Sequence, residues 1–171
     1  FQFAVFEKIG GRAPNLEDDS VLSWIGRLIG RIHAVSATQS FRYRPSMSAG
    51  QFGREPVDFI INNGFMPAEL RETYEGLVDL ALTAIDGALT GAENSSFIRL
   101  LGDCHPGNIL WMEDGPSFVD LDDAVMGPAI QDLWMLLSGD REAMALQLRK
   151  VLIGYEQFMT FDYQQVALIE P

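Results

Sequence analysis

Two short apolar runs, Phe97-Ile98 with Leu100-Leu101 and then Ile109-Leu110-Trp111, enclose the loop Gly102-Asp103-Cys104-His105-Pro106-Gly107-Asn108. The acidic run Val119-Asp120-Leu121-Asp122-Asp123 follows closely. Apolar runs this short, bounded by Gly and Pro, read as buried strands rather than helices. The rest of the chain must therefore supply a core behind a strand-loop-strand unit. Gly102, Pro106 and Gly107 break the loop, so the side chains of Asp103 and Asn108 can converge on a small volume. Ile109 to Met112 is expected to pair with Ser117 to Leu121 around Glu113-Asp114-Gly115, a turn of the Asp-Gly kind, which returns Asp120 to the loop. One carboxylate and one amide oxygen on neighbouring strand ends suit Mg²⁺, which takes few protein oxygens and leaves its other positions to water and substrate phosphates. A second carboxylate beside the metal can accept a proton from an attacking hydroxyl.

The order Asp103-x-x-x-x-Asn108, followed by a strand carrying Asp120, resembles the catalytic and metal loops of protein kinases. The wording Gly102-Asp103-Cys104-His105-Pro106-Gly107-Asn108-Ile109-Leu110-Trp111 with Phe118-Val119-Asp120-Leu121-Asp122-Asp123 is similar to the aminoglycoside/choline kinase-like phosphotransferases. Within that superfamily it most resembles the bacterial stress response kinases, which are protein serine/threonine kinases. The resemblance implies Asp103 as catalytic base, Asn108 and Asp120 as Mg²⁺ ligands, and Asp122 as a second-metal or supporting group, with ATP as donor. Phe3-Ala4-Val5-Phe6 resembles the strand linking the two lobes of that fold. Ile25 to Ala34 resembles the helix after it, and Gly127 to Trp134 the helix beyond the metal loop. The implied fold is mainly α with a small β-hairpin (α+β), the C-terminal large lobe of a protein-kinase-like fold. Residues 1–14 would be the interlobe strand and loop, and residues 15–171 the large lobe, with the catalytic loop at 100–111 and the metal loop at 118–124. Backbone groups near Phe6 and Lys8 would hydrogen-bond an adenine. Asp132 is one charge amid Ile130, Leu133, Trp134, Leu136 and Leu137, and a buried charge is costly unless paired. Its counterpart in the family accepts hydrogen bonds from catalytic-loop amides.

Two departures stand out. The family usually writes His-Gly-Asp, and Leu101 occupies the first of those positions, a backbone-positioning one. The chain also starts at the interlobe strand, with no Gly-rich phosphate loop before it, and Gly10-Gly11 is no substitute. Lys8 and Lys150 are its only lysines, and neither resembles the strand lysine that grips the α- and β-phosphates. The chain reads as a large-lobe portion whose small lobe is missing.

Elsewhere the pattern is helical. Asn15 or Asp18 can cap a helix with the stripe Val21, Ile25, Leu28, Ile32, Val35 and with Leu22 and Ile29 beside it. His33, near its end, reads as a buried, hydrogen-bonded structural histidine. Thr38 to Asn63 reads as the longest irregular stretch, a candidate for the substrate side of the cleft. Met66 to Leu89 reads as a core-packing helix with Pro67 in its first turn. Pro128 to Leu137 reads as a short apolar helix. Asp140 caps another, with the stripe Met144, Leu148, Val151, Tyr155, Phe158, and Phe161 to Pro171 begins one more helical segment.

At 171 residues and 47% hydrophobic, the chain can bury one core. A net charge of −12 argues against nucleic acid, whose phosphates need clustered Lys and Arg, and is compatible with cationic substrates or basic protein segments. The single cysteine, Cys104, excludes an internal disulfide. No apolar run reaches the length of a membrane span, so no membrane partner is expected and the protein is read as cytoplasmic. Zinc-ligand spacing, a calcium loop, a Gly-x-Ser-x-Gly elbow and a Walker loop are all missing from the sequence. Cys104 has no base assigned to it other than the adjacent His105, expected to point elsewhere. The expected activity is ATP- and Mg²⁺-dependent transfer to Ser/Thr of proteins in a stress response. The alternatives are a small-molecule hydroxyl acceptor of the choline, homoserine or aminoglycoside type, and a large lobe that binds without turnover.

Overall fold

The computed structural model describes the chain apart from residues 1, 2, 4, 6, 9, 92–95 and 171 and the side chain of residue 91. Helix α1, Asp19–Ser36, starts where the Asp18 carboxylate accepts from the Ser20 amide, a side-chain cap for an otherwise orphaned donor. Its buried face is Val21, Leu22, Ile25, Gly26, Ile29, Gly30 and His33. The expected stripe is therefore rotated: Leu28 and Ile32 are half-buried, and Val35 is exposed. The cause is helix α5, Arg141–Tyr155, capped by Asp140 and laid across α1 at backbone contact. A Cβ on Gly26, Gly30 or Gly154 would lie 2.0, 2.5 or 1.8 Å from the carbonyl oxygens of Val151, Tyr155 and Ser23 respectively. Close approach at glycines thus sets the contact face, and it buries Leu148, Val151, Leu152 and Tyr155 against α1. Full burial of a side chain such as Leu22 or Ile25 is worth about 1.5–3 kcal/mol. Phe158 lies beyond the end of α5 and is exposed.

The middle of the chain departs from expectation. Residues 38–48 are irregular as expected, but a π-helical turn, Gly50–Arg54, then runs directly into α2, Glu55–Asn62. No α2 residue is fully buried, and its apolar face, Val57, Ile60 and Ile61, is half-buried. Helix α3, Arg71–Gly91, begins after the turn containing Pro67 rather than at Met66. Its expected place in the core is not observed: Leu82 is buried over Gly53, while Leu77 and Leu80 are 62% and 71% exposed.

Two antiparallel strand pairs cap the α1–α5 layer. Strand β1, Ile98–Leu100, pairs with β4, Val125–Gly127. Strands β2, Ile109–Met112, and β3, Gly115–Phe118, form the hairpin, with Ile109 opposite Phe118 and Met112 opposite Gly115. The second strand is thus two residues earlier than the sequence suggests, and the turn is Glu113-Asp114. Pro116 within β3 costs no ladder bond, because it faces Trp111, whose own N–H and C=O turn outward to Arg12. Short helix α4, Gln131–Trp134, follows β4 in place of the longer helix expected from Pro128. The tail adds a 3₁₀ turn, Tyr163–Leu168, whose buried Gln165 accepts from the Ile130 amide at 3.1 Å. Among the described residues, no helix is long and apolar enough to cross a membrane.

Candidate active site

The loop after β1 is hung from α4. The Asp132 carboxylate accepts from the backbone amides of Leu101 at 2.8 Å and Gly102 at 2.9 Å, and the Gln131 side-chain amide donates to the Gly102 carbonyl at 3.3 Å. Leu101, the departure from His-Gly-Asp, turns its side chain to the core and is held through its amide. Gly102 has φ +91°, and a Cβ there would sit 2.0 Å from the Asp123 carbonyl oxygen. Only glycine lets the two loops touch at this point.

Next comes Asp103. A 3₁₀ turn, Pro106–Asn108, brings Asn108 back over it, and the Asn108 Nδ2 donates to the Asp103 carbonyl at 3.0 Å and to its Oδ2 at 3.2 Å. His105 caps this turn, its Nδ1 accepting from the Gly107 amide at 2.9 Å. That bond puts the imidazole proton on Nε2, which lies 3.5 Å from Asp103 Oδ2. His105 therefore sits beside the carboxylate, a placement its position next to Cys104 did not suggest. The Asn108 bond and the His105 ring thus lie on one oxygen of a partly exposed carboxylate. Cys104 is fully buried, and burial, with the charges of Asp132 and Asp103, pushes its thiol far up, so it stays protonated and no nucleophile.

The acidic loop closes on the same point. The Val119 amide donates to the Asn108 carbonyl at 3.0 Å, which places Asp120 one residue beyond Asn108's backbone partner. Asp120 takes φ +59°, the one non-glycine residue with positive φ among those described. Left-handed backbone at a non-glycine residue is a strained state that clusters at functional sites. Asp122 is exposed and is held through its carbonyl, which accepts from Arg44 Nη1. Arg44 comes from the stretch that zips along β4 through Met126 N to Pro45 O at 2.9 Å and Met47 N to Met126 O at 2.8 Å. Sequence reasoning missed the Arg44 and Gln131 contacts, and no local pattern marks either residue.

Among the described residues, no three or more His, Cys, Asp or Glu side chains converge as a metal cage. The oxygen set Asn108 and Asp120 fits a hard cation that keeps several positions for water and phosphate. The Asn108 amide nitrogen is committed to Asp103, which leaves Oδ1 for such an ion. Phe6 lies outside the described residues, and Lys8 is exposed. The leading segment does reach the hairpin: Arg12 exchanges backbone bonds of 3.1 and 2.8 Å with Trp111. An apolar groove bounded by Met47, Phe52, Leu82, Pro128 and Trp134 opens beside Gln131.

A family model described as the phosphotransferase enzyme family (APH) matches residues 1–169. The chain is 40% identical over 171 residues to stress response kinase A of Escherichia coli K12, covering 100% of this chain and 51% of that protein. It is 38% identical over 173 residues to the serine/threonine protein kinase RdoA of Salmonella typhimurium, again over 100% of this chain and 51% of that protein. Among solved structures, the amicoumacin kinase hAmiN, in complex with AMP-PNP, Ca²⁺ and Ami, superposes with a TM-score of 0.66 at 14% identity, over 95% of this chain and 51% of that one. The chain spans about half the length of the relatives it matches.

Proposed function

The chain belongs to the phosphotransferase enzyme family, with the mainly helical large-lobe fold of its kinase-like members, and on that premise we propose that the whole protein transfers the γ-phosphoryl group of ATP to Ser or Thr hydroxyls of proteins in a stress response. The observation that carries this reading is the Asp103 carboxylate, held on Oδ2 by Asn108 with the His105 ring beside it while remaining open to solvent. In this reading Asp103 orients the acceptor hydroxyl and takes its proton as the phosphoryl group leaves ATP. Asn108 and Asp120 would hold Mg²⁺, with Asp122 supporting the loop, and the metal supplies neutralisation of phosphate charge. Asp132 and the Leu101 amide keep the base in register. Residues 1–14 would join this lobe, residues 15–171, to the small lobe, with backbone near Phe6 and Lys8 receiving the adenine. With ATP as donor, the proposed reaction would be cytoplasmic.

The similarity to a relative named as a serine/threonine protein kinase supports a protein acceptor, and the net charge of −12 favours a basic one. The apolar groove beside Gln131 favours a second reading, a small-molecule hydroxyl acceptor enclosed between α3 and α4. Full-length protein assayed for transfer from ATP to myelin basic protein, and in parallel to choline, homoserine and an aminoglycoside, separates the two. Loss of a general base costs about 10²–10⁴-fold in rate. Asp103→Asn is expected to lose transfer on that scale with an unchanged melting curve, and full activity in that variant would remove Asp103 from the chemistry.

A further inference from the structure

Behind the loop amides runs a buried polar chain that the reaction does not touch. His33 and Asp132 are both 0% exposed, and His33 Nε2 lies 2.9 Å from Asp132 Oδ2, the same oxygen that accepts from the Leu101 amide. His33 Nδ1 lies 3.0 Å from the Tyr155 hydroxyl, and Tyr155 is also 0% exposed. The chain therefore runs from α5 through α1 to α4 and ends on the two residues directly before Asp103. Nε2 faces an acceptor-only carboxylate oxygen and so carries the ring proton, which leaves Nδ1 to accept from the Tyr155 hydroxyl. The two bonds together hold the imidazole as that tautomer. Three apolar side chains would fill this space without the desolvation cost of a buried carboxylate and two polar rings, a cost that the hydrogen bonds of the chain offset only while all of them are made.

We propose that His33 and Tyr155 are positioning residues for phosphoryl transfer: Tyr155 holds the His33 tautomer, His33 orients the Asp132 carboxylate, and Asp132 sets the backbone of Leu101 and Gly102 and so the location of Asp103. Neither residue touches substrate. The proposal rests on the reading of Asp103 as the base, but its structural half stands without it. Leu101 brings no polar side chain to its position, so its backbone is held through its amide by Asp132, with Gln131 on the next carbonyl.

The test uses full-length protein carrying His33→Leu, His33→Gln or Tyr155→Phe. Backbone amide exchange is followed over residues 98–104, with the β2–β3 hairpin as internal reference, and kcat and KM for ATP are measured with myelin basic protein as acceptor. Misplacing a reacting group by about 1 Å costs up to roughly a hundredfold in rate. His33→Leu is expected to speed exchange selectively at Leu101 and Gly102 and to lower kcat on that scale, with KM for ATP unchanged. His33→Gln, which keeps a donor toward Asp132, should restore much of both, and Tyr155→Phe should show a smaller loss of the same kind. A His33→Leu protein that melts lower but keeps wild-type kcat and wild-type exchange at 98–104 overturns the proposal. If the wild type transfers nothing to the acceptor, the proposed function falls while exchange alone still decides the positioning role.

Discussion

Removing the Asp132 carboxylate should unsettle fold and site together, and the structure sets the scale. Asp132 Oδ2 accepts from Leu101 N at 2.8 Å and from His33 Nε2 at 2.9 Å, while Oδ1 accepts from Gly102 N at 2.9 Å. Asp132→Ala strips the acceptor from three buried or half-buried donors at once. Each unpartnered buried donor costs about 1–3 kcal/mol. Deleting a buried charge also removes its own desolvation penalty, so the net falls in the lower part of the sum for three donors, about 3–5 kcal/mol. Against a typical total of about 5–15 kcal/mol, that is a large fraction. Asp132→Asn keeps one acceptor. With its oxygen in the place of Oδ2 it still serves Leu101 and His33, leaving only the Gly102 amide facing another donor, a cost of about 1–3 kcal/mol. Urea unfolding followed by tryptophan fluorescence should therefore order the proteins wild type, Asn, Ala. At a slope of about 2 kcal/mol/M, the alanine midpoint should fall by roughly 2 M. An alanine variant within about 1 kcal/mol of wild type, or one no worse than Asn, would refute the reasoning.

Gly154→Ala places a Cβ 1.8 Å from the Ser23 carbonyl oxygen, so it should lose about 1–3 kcal/mol to overpacking despite a helix-propensity gain of up to about 1 kcal/mol. Gly76→Ala, with nothing within 4 Å of the added Cβ, should instead hold or raise the melting temperature, and equal behaviour of the two would contradict the close α1–α5 crossing. The pH dependence follows from the raised Cys104 thiol and Tyr155 phenol, both kept protonated in the fold by burial first and by Asp132 second. The unfolded chain releases these protons near pH 8.5 and 10, so above those values it binds fewer protons than the fold and stability falls as pH rises, by about 1.4 kcal/mol per unit per group. Tyr155→Phe should remove one of these contributions above about pH 10. An alkaline slope identical to wild type would show that this phenol is not held up by the fold.

Helices α1 and α5 were legible because their caps, Asp18 and Asp140, and much of their apolar spacing act within a few residues. The exact buried face of α1 was not, because Gly26, Gly30 and Gly154 matter only once α5 lies against them. Helix α2 escaped notice because it is only eight residues long and its apolar face, Val57, Ile60 and Ile61, spans little more than one turn, and α3 was misplaced in the core because its apolar residues resemble a stripe whether or not anything covers them. The pairing of β1 with β4 joins residues separated by the whole hairpin, and no turn chemistry announces it. In the site, the meeting of Asp103 and Asn108 was readable from the Gly and Pro breaks between them. The left-handed backbone of Asp120, the Arg44 bond to the Asp122 carbonyl and the His105 ring beside Asp103 depend on how separate segments come to rest.

In the proposed site, the Asp103 loop and the Asp120 loop together hold metal and nucleotide. Calorimetric titration of full-length protein with ATP in the presence and absence of Mg²⁺, comparing wild type with Asp120→Ala, tests it most directly. The account predicts metal-dependent nucleotide binding in the wild type and its loss in the variant. Equal binding by both proteins, or binding indifferent to Mg²⁺, would contradict it.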